Sequence, residues 1–410
     1  MPAPLTALPD DAVLLHVGPH KTGTTAIQST LAPAREELAA RGVTYPGRYT
    51  AHHLEAYSLR QYTQAWAGSS ARPPAPRVFY NFARRVAARP GRVVVSSEFF
   101  AGCTESERAR LVEELGRDRV HVLIGARNPA AFALSTWQQL LREGKADGLD
   151  AWLERDFRRP EPTRDNAGFW SKADPANLAE KWQALVGPER VTVVVMGDRD
   201  QTLLPTTFEQ LLDLPGGFLT SRRPTNSNRG LTATEAEFLR GVTAAIGDQL
   251  SWSDHSQLVR SGMVRQLQQV RECPPGESAP ALPGWALAQA AAEAERSIGE
   301  LERLGVRIAG DLQDLGSLPP QGAGESVETV PVDLAVEAAV GTIRSAVERF
   351  RALEDEAVKE RERADELRSR LVKVRRRNAQ LRERLRSHEA TSQGGLLVRV
   401  KGRLSRRDHP

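Results

Sequence analysis

Two hydrophobic rhythms divide this chain. Up to about residue 315, short continuous apolar runs stand between longer stretches in which apolar residues recur every three or four positions. The runs Ala12–Leu15 with Val17, Arg92–Ser96 and Val120–Ile124 have the length and continuity of strands buried on both faces. Helical spacing follows the first run, with Ile27 and Leu31 on one face. It also follows the third, through Leu141, and dominates residues 231–304, including Ala288–Leu304. From Asp333 to about Glu389 a seven-residue repeat takes over, with no proline and a single glycine, Gly341. Between the two regimes, residues 316–331 are rich in Pro, Gly and Ser and predict a linker. The predicted organisation is an α/β domain over 10–315, the linker, a long helix over 332–389 and a basic tail over 390–410.

Composition adds an asymmetry. The net charge is +4, but residues 361–386 carry eleven Lys/Arg against four Asp/Glu and residues 387–410 carry five against two. Residues 1–360 are therefore net negative, and the basic character belongs to the C-terminal part. With 40% hydrophobic residues, the chain has material for a sizeable core. Its two cysteines, Cys103 and Cys273, form no disulfide framework and have no zinc-like spacing. No apolar run approaches a membrane span, and the first residues lack signal-peptide features. The expected compartment is the cytoplasm, extending to the inner membrane face.

The first candidate chemistry lies in Leu15–Gln28. Gly18, Pro19 and Gly23 break the pattern between the first strand and a helix that starts at the threonines. Such a loop turns backbone N–H groups and a helix N-terminus toward an anion, with Lys21 inside the cradle; phosphate is its natural guest. It is not a Walker A loop, because Lys21 precedes Gly23 instead of following a glycine. The second candidate is Arg127-Asn128-Pro129, a strand exit in which the residue before proline is pushed out of the helical region. Ser135 follows on the next helix, eight residues after Arg127. A guanidinium fork matches a phosphate, and a helix-borne hydroxyl adds a hydrogen bond.

Lys21-Thr22-Gly23-Thr24-Thr25 after a hydrophobic strand, with Arg127-Asn128-Pro129 and Ser135, resembles the two donor motifs of the sulfotransferase family. These enzymes use PAPS (3′-phosphoadenosine 5′-phosphosulfate). Arg41–Pro46, Ser96-Ser97-Glu98 and Trp137-Gln138-Gln139 look like a bacterial, mainly actinobacterial, branch of unassigned acceptor. The resemblance runs from about residue 12 to about 315, where Gly305–Leu312 looks like the closing segment. It implies a three-layer α/β domain with a central parallel sheet, the P-loop NTPase-like sulfotransferase fold. It also implies PAPS as sulfo donor, PAP as product and no metal. Lys21 would neutralise the bridging oxygen, Thr22, Gly23, Thr24 and Thr25 would hold the 5′-phosphate, and Arg127 and Ser135 the 3′-phosphate.

Sulfo transfer also needs a base for the acceptor's proton. Glu98, just after the Arg92–Ser96 strand, ranks first, His53 second and His52 third, while His20 lies inside the phosphate loop itself. Histidine titrates near neutrality, and a partly desolvated glutamate serves a hydroxyl equally well. In the basic loop that follows, Arg222, Arg223 and Arg229 are candidates to touch the donor or an anionic acceptor, with Arg229 counted in the donor set. The expected acceptor is a carbohydrate, glycolipid or small molecule offering a hydroxyl or amine. Two other readings remain open: a nucleotide kinase, which requires Mg²⁺ and a lysine after glycine, and a decayed sulfotransferase domain that presents the basic helix as a scaffold.

In that helix the a positions include Ile343, Phe350, Leu371 and Leu385, and the d positions Leu353, Leu367, Val374 and Leu381. Asn378 at a is a register device. From residue 361 the e positions are Arg361, Arg368, Arg375 and Arg382, and the g positions Arg363, Arg370, Arg377 and Arg384. Self-pairing would set arginine against arginine. The expected partner is an acidic protein helix, an anionic polymer or an anionic membrane surface, without specific nucleic-acid recognition; a single solvated helix is the alternative.

Overall fold

A computed structural model describes residues 5–62, 72–158, 168–197, 202–222, 229–317, 327 and 329–404, with side chains described through residue 387. Arg223, most of the predicted linker and residues 405–410 lie outside the described residues. The chain divides into two compact units, Met1–Ile343 and Arg344–Pro410.

The first unit is built on six parallel strands: β1 (Val13–Gly18), β2 (Val43–Thr44), β3 (Arg92–Ser96), β4 (Val120–Arg127), β5 (Val191–Met196) and β6 (Arg307–Ala309). Their order is β2-β3-β1-β4-β5-β6. Successive side chains of a strand point to opposite faces, so each strand feeds two cores. Val13, Leu15, Val17, Val95, Ile124 and Val193 pack on one face with Phe79, Phe82, Leu111 and Trp182. Leu14, Val94, Leu123 and Val194 pack on the other with Ile27, Leu31 and Phe208. Both faces are therefore covered by helices, which is why the strands read as unbroken apolar runs. The three-layer α/β architecture is as expected.

A third, helical core holds Phe132, Trp137, Trp152, Phe157, Phe169 and Trp170. Leu334 and Ala338, from the first turns of the helix Val332–Leu404, belong to it as well. Gly341 lies against Gln266 and Gly262, where a Cβ would come within 2.5 Å of the Gln266 Cβ. These contacts move the division between units from the predicted linker into the helix itself. The helix also continues past residue 389 to Leu404, through Gly394 and Gly395. No proline interrupts it, and two glycines cost only about 1 kcal/mol each against helix formation. Among the described residues no helix is long and apolar enough to cross a membrane.

A buried ion-pair network ties this helical core together. Arg271 reaches Glu235 at 2.8 Å, Glu277 at 2.6 Å and Asp333 at 3.3 Å, and its side chain is 3% exposed. Glu235 also closes a capping box with Thr232 at the start of Ala233–Ile246. Arg271→Ala leaves the Glu235 carboxylate buried with one cation fewer, and breaking such a pair costs about 3–5 kcal/mol. A denaturant titration of this variant is expected to show that loss in the first unit.

Candidate active site

The loop after β1 is shaped by its neighbours. Gly18 has φ 85°, and a Cβ there would lie 2.8 Å from the Cα and Cβ of Glu98. The exit of β1 is thus pressed against the exit of β3. Lys21 has φ 68°, a left-handed conformation unusual for a residue with a side chain. Gly23, φ 76°, leads into the helix Thr24–Leu31, whose first turn has no side-chain cap. Its leading N–H groups are therefore available to an anion. Thr22 is fully buried, and its hydroxyl donates to the Pro19 carbonyl at 2.6 Å. Of the predicted phosphate-loop hydroxyls, Thr22 thus holds the loop closed, Thr24 is buried and Thr25 is exposed.

Thr22 packs on Gly125 of β4, where an added Cβ would come 2.5 Å from its Oγ1. Gly125→Ala is expected to push the loop off the sheet and cost about 1–3 kcal/mol of stability. An unchanged thermal midpoint would show that the loop is not held in this way.

Arg127 ends β4, and Asn128 caps the helix Pro129–Arg142 by accepting from the N–H groups of Ala130 and Ala131. The Asn128 amide donates to the carbonyls of Leu315 and Ser317, so the closing segment fixes the turn that carries Arg127. Ser135 is partly exposed on this helix. Arg142 lies two turns further, on the same face as Ser135. Burial, then Arg142 and then Arg127 push the Lys21 ammonium down to about 7, against the pull of Glu143. The charges of Arg127, at the end of β4, and of Arg142, at the far end of the next helix, thus act on Lys21, and an anion beside it is favoured. The sequence pattern did not single out Arg142.

At the end of β3, Glu98 is the hub of a polar cluster. His20 Nδ1 lies 3.6 Å from one carboxylate oxygen, and His53 Nε2 lies 3.7 Å from the other. Gln28, from the helix after the β1 loop, donates to Glu98 at 3.2 Å and to the Ser96 hydroxyl at 3.1 Å. His53 Nδ1 is 2.9 Å from the Ser97 hydroxyl. The ring of Phe99 meets both His20 and His53 edge to face, at 4.8 and 5.0 Å. Burial pushes His20 down to about 4 against the pull of Glu98, with Lys172, His53 and Lys21 adding to the depression. Burial lowers His53 also, again against Glu98. Burial pushes Glu98 upward but is outweighed by His53, His20, its own backbone N–H and Gln28, which hold it below the usual carboxylate range. At neutral pH the cluster is therefore one carboxylate between two neutral imidazoles. Since the imidazoles are then uncharged, the backbone N–H and Gln28 carry the stabilisation of the carboxylate there.

The remaining predicted residues face protein groups. His52 is 2% exposed; its Nδ1 accepts from the Ser96 N–H at 3.0 Å and its Nε2 faces the Pro46 carbonyl at 2.8 Å. It staples the chain after β2 to β3, and burial holds it near 4. Arg229, counted in the donor set from sequence, has both terminal nitrogens on Glu235, at 2.6 and 2.7 Å. Arg222 pairs with Glu37 and lies over the Phe218 ring. Among the described residues one group has metal-ligand spacing: Glu235, Cys273 and Glu277 each offer a ligand atom within 4.8 Å of the others. Those carboxylates already have cationic partners in Arg229 and Arg271.

No family model matches the chain, and no curated protein matches it. Among solved structures it is similar to a sulfotransferase from Alicyclobacillus acidocaldarius, with 14% identity and a TM-score of 0.37 over 72% of this chain and 95% of that one.

Proposed function

We propose that the chain is a sulfotransferase that moves a sulfo group from PAPS to a hydroxyl or amine of a carbohydrate, glycolipid or small-molecule acceptor. The observation that carries this reading is the left-handed Lys21 beside an uncapped helix start, next to the Glu98 cluster, with the charges of Arg142 and Arg127 acting on its ammonium. The donor residues fit a ligand with two phosphates. The first-turn N–H groups and Lys21 take the 5′-phosphate, while Arg127 and Ser135 take the 3′-phosphate. PAPS supplies an S–O bond to a phosphate leaving group. That bond breaks as the acceptor's oxygen or nitrogen bonds to sulfur, and the acceptor's proton must leave. Lys21 neutralises charge developing on the departing phosphate oxygen.

The proton goes to the Glu98 cluster. Both ring nitrogens of His53 face protein groups, Ser97 and Glu98. The His20 side chain is 38% exposed, turns Nδ1 toward Glu98 and adjoins Lys21, so we assign the proton to its Nε2, with Glu98 and His53 steadying the ring. The cytoplasm is the compartment in which PAPS chemistry by this chain is expected.

Calorimetry with PAP, in the absence of metal, tests the donor site. Tight binding that weakens in both Lys21→Ala and Arg127→Ala supports it; no binding by folded wild type rejects it. The pH dependence is a sharper check. Lys21 is pushed down to about 7 in the free protein, and a bound phosphate favours its charged form. Between about pH 6 and 7 the ammonium is present while the phosphates, with a second pKa of about 6, are still largely ionised, and affinity is greatest. Above 7 binding must take up a proton, so affinity falls by up to about tenfold per pH unit. PAP phosphates are fully ionised over that range, so the slope reports Lys21, and it is expected to vanish in Lys21→Ala.

A further inference from the structure

The second unit presents a surface whose chemistry points to a particular occupant. Every side chain from residue 347 to 387 of its helix is exposed. Phe350 is 67% exposed, Leu367 59% and Leu385 62%, far more than apolar residues in a packed seam. The stripe they belong to is two residues per heptad wide, the width of a coiled-coil interface and narrower than the face of a helix lying in a bilayer surface. No Trp, Tyr or Phe follows Phe350, so the interfacial anchors of such a helix are missing.

Charge selects among helical partners. Both edges of the stripe are arginine from 361 to 384. Arg363, Arg368 and Arg370 each pair with a carboxylate of their own helix, at 3.0, 3.1 and 2.6 Å. Arg375, Arg377, Arg382 and Arg384 have no acidic partner among the described residues. In a parallel dimer of this chain, each g residue meets the e residue five positions on. Arg363 would then face Arg368, Arg370 would face Arg375, and Arg377 would face Arg382, each contact occurring twice. We infer that residues 361–385 are the docking surface for an amphipathic helix of another protein with acidic e and g positions. Asn378 sets the register of that pair.

The test uses the full chain and a synthetic four-heptad peptide with Leu at a and d, one Asn at the a position facing Asn378, and Glu at e and g. Sedimentation at micromolar concentration is expected to give a monomer alone and a one-to-one complex with the peptide. The triple variant Arg368→Glu, Arg375→Glu, Arg382→Glu is expected to lose about 30-fold or more in peptide affinity. The triple Lys373→Glu, Arg376→Glu, Arg386→Glu makes the same charge change away from the seam and is expected to lose less than about threefold. Circular dichroism checks that each variant keeps its helix; Arg→Gln at the same positions carries the comparison if a Glu variant does not. Self-association of wild type, equal loss in the two triples, or absence of peptide binding overturns the inference. So does wild-type co-sedimentation with phosphatidylserine-containing vesicles that the peptide does not compete away.

Discussion

Lys21→Ala is expected to lower PAPS turnover, to an acceptor or to water, about 10²–10³-fold, the cost of removing one preorganised charge from a developing anion. The variant is a clean probe because Lys21 occupies a left-handed conformation, φ 68°, and alanine keeps the Cβ that makes it strained. The backbone cost is therefore the same in both proteins, and the difference reports the ammonium. Burial and the neighbouring Arg142 and Arg127 already press this lysine down to about 7, so it gains more from an incoming anion than a solvated lysine would. Lys21→Arg is expected to recover binding of PAP more than turnover, since a guanidinium supplies charge but not the point contact of an ammonium. Labelled-sulfate release from PAPS measures the effect without knowledge of the acceptor. Turnover by Lys21→Ala at the wild-type rate would place the leaving phosphate elsewhere.

What could be read from the sequence, and what could not, follows the range of the interactions. The exits of β1 and β4 were legible because a buried apolar run ending in Gly, Pro or Asn-Pro is a local signal. The Glu98 position was legible for the same reason, as the first charged residue after a strand of valines. Gln28 and Arg142 were not, because their role depends on sheet order. Only with β3 beside β1 does the helix carrying Gln28 reach Glu98, and only with β4 on the other side of β1 does the charge of Arg142 act on Lys21. Arg229 looked like a ligand-binding arginine because its local sequence is basic. Its partner Glu235 is only six residues on, but that carboxylate is shared with Arg271, which no local pattern reveals. His52 and His53 are adjacent and chemically identical in sequence. A helix start turns one inward between Ser96 and Pro46 and leaves the other beside Ser97 and Glu98. The heptads of the second unit were plain, whereas the packing of Leu334 and Ala338 into the first unit required its third core.

His20→Asn is expected to separate chemistry from binding. With Asn in place of the imidazole, general-base assistance is lost, a factor of about 10²–10⁴ in turnover. PAP affinity should stay within about threefold, because a neutral imidazole turned toward Glu98 adds no charge to the donor site. Glu98→Gln keeps the shape of the hub but removes the charge that favours protonated imidazole, and turnover should fall at least about tenfold. The pH profile distinguishes this from simple loss of structure. The base must be neutral to act, and burial holds His20 near 4, so at saturating PAPS, where the bound donor keeps Lys21 charged, wild-type turnover is expected to be level through neutrality and to fall in acid. Glu98 is the group that raises His20, so its removal should move that acid limb to lower pH while lowering the plateau. A misfolded variant would lower the plateau without shifting the limb. His53→Asn, which leaves the His20–Glu98 pair in place, is expected to have the smallest effect of the three. If His20→Asn turns over like wild type while His53→Asn does not, the proton passes through His53, and His20 has no part in the transfer.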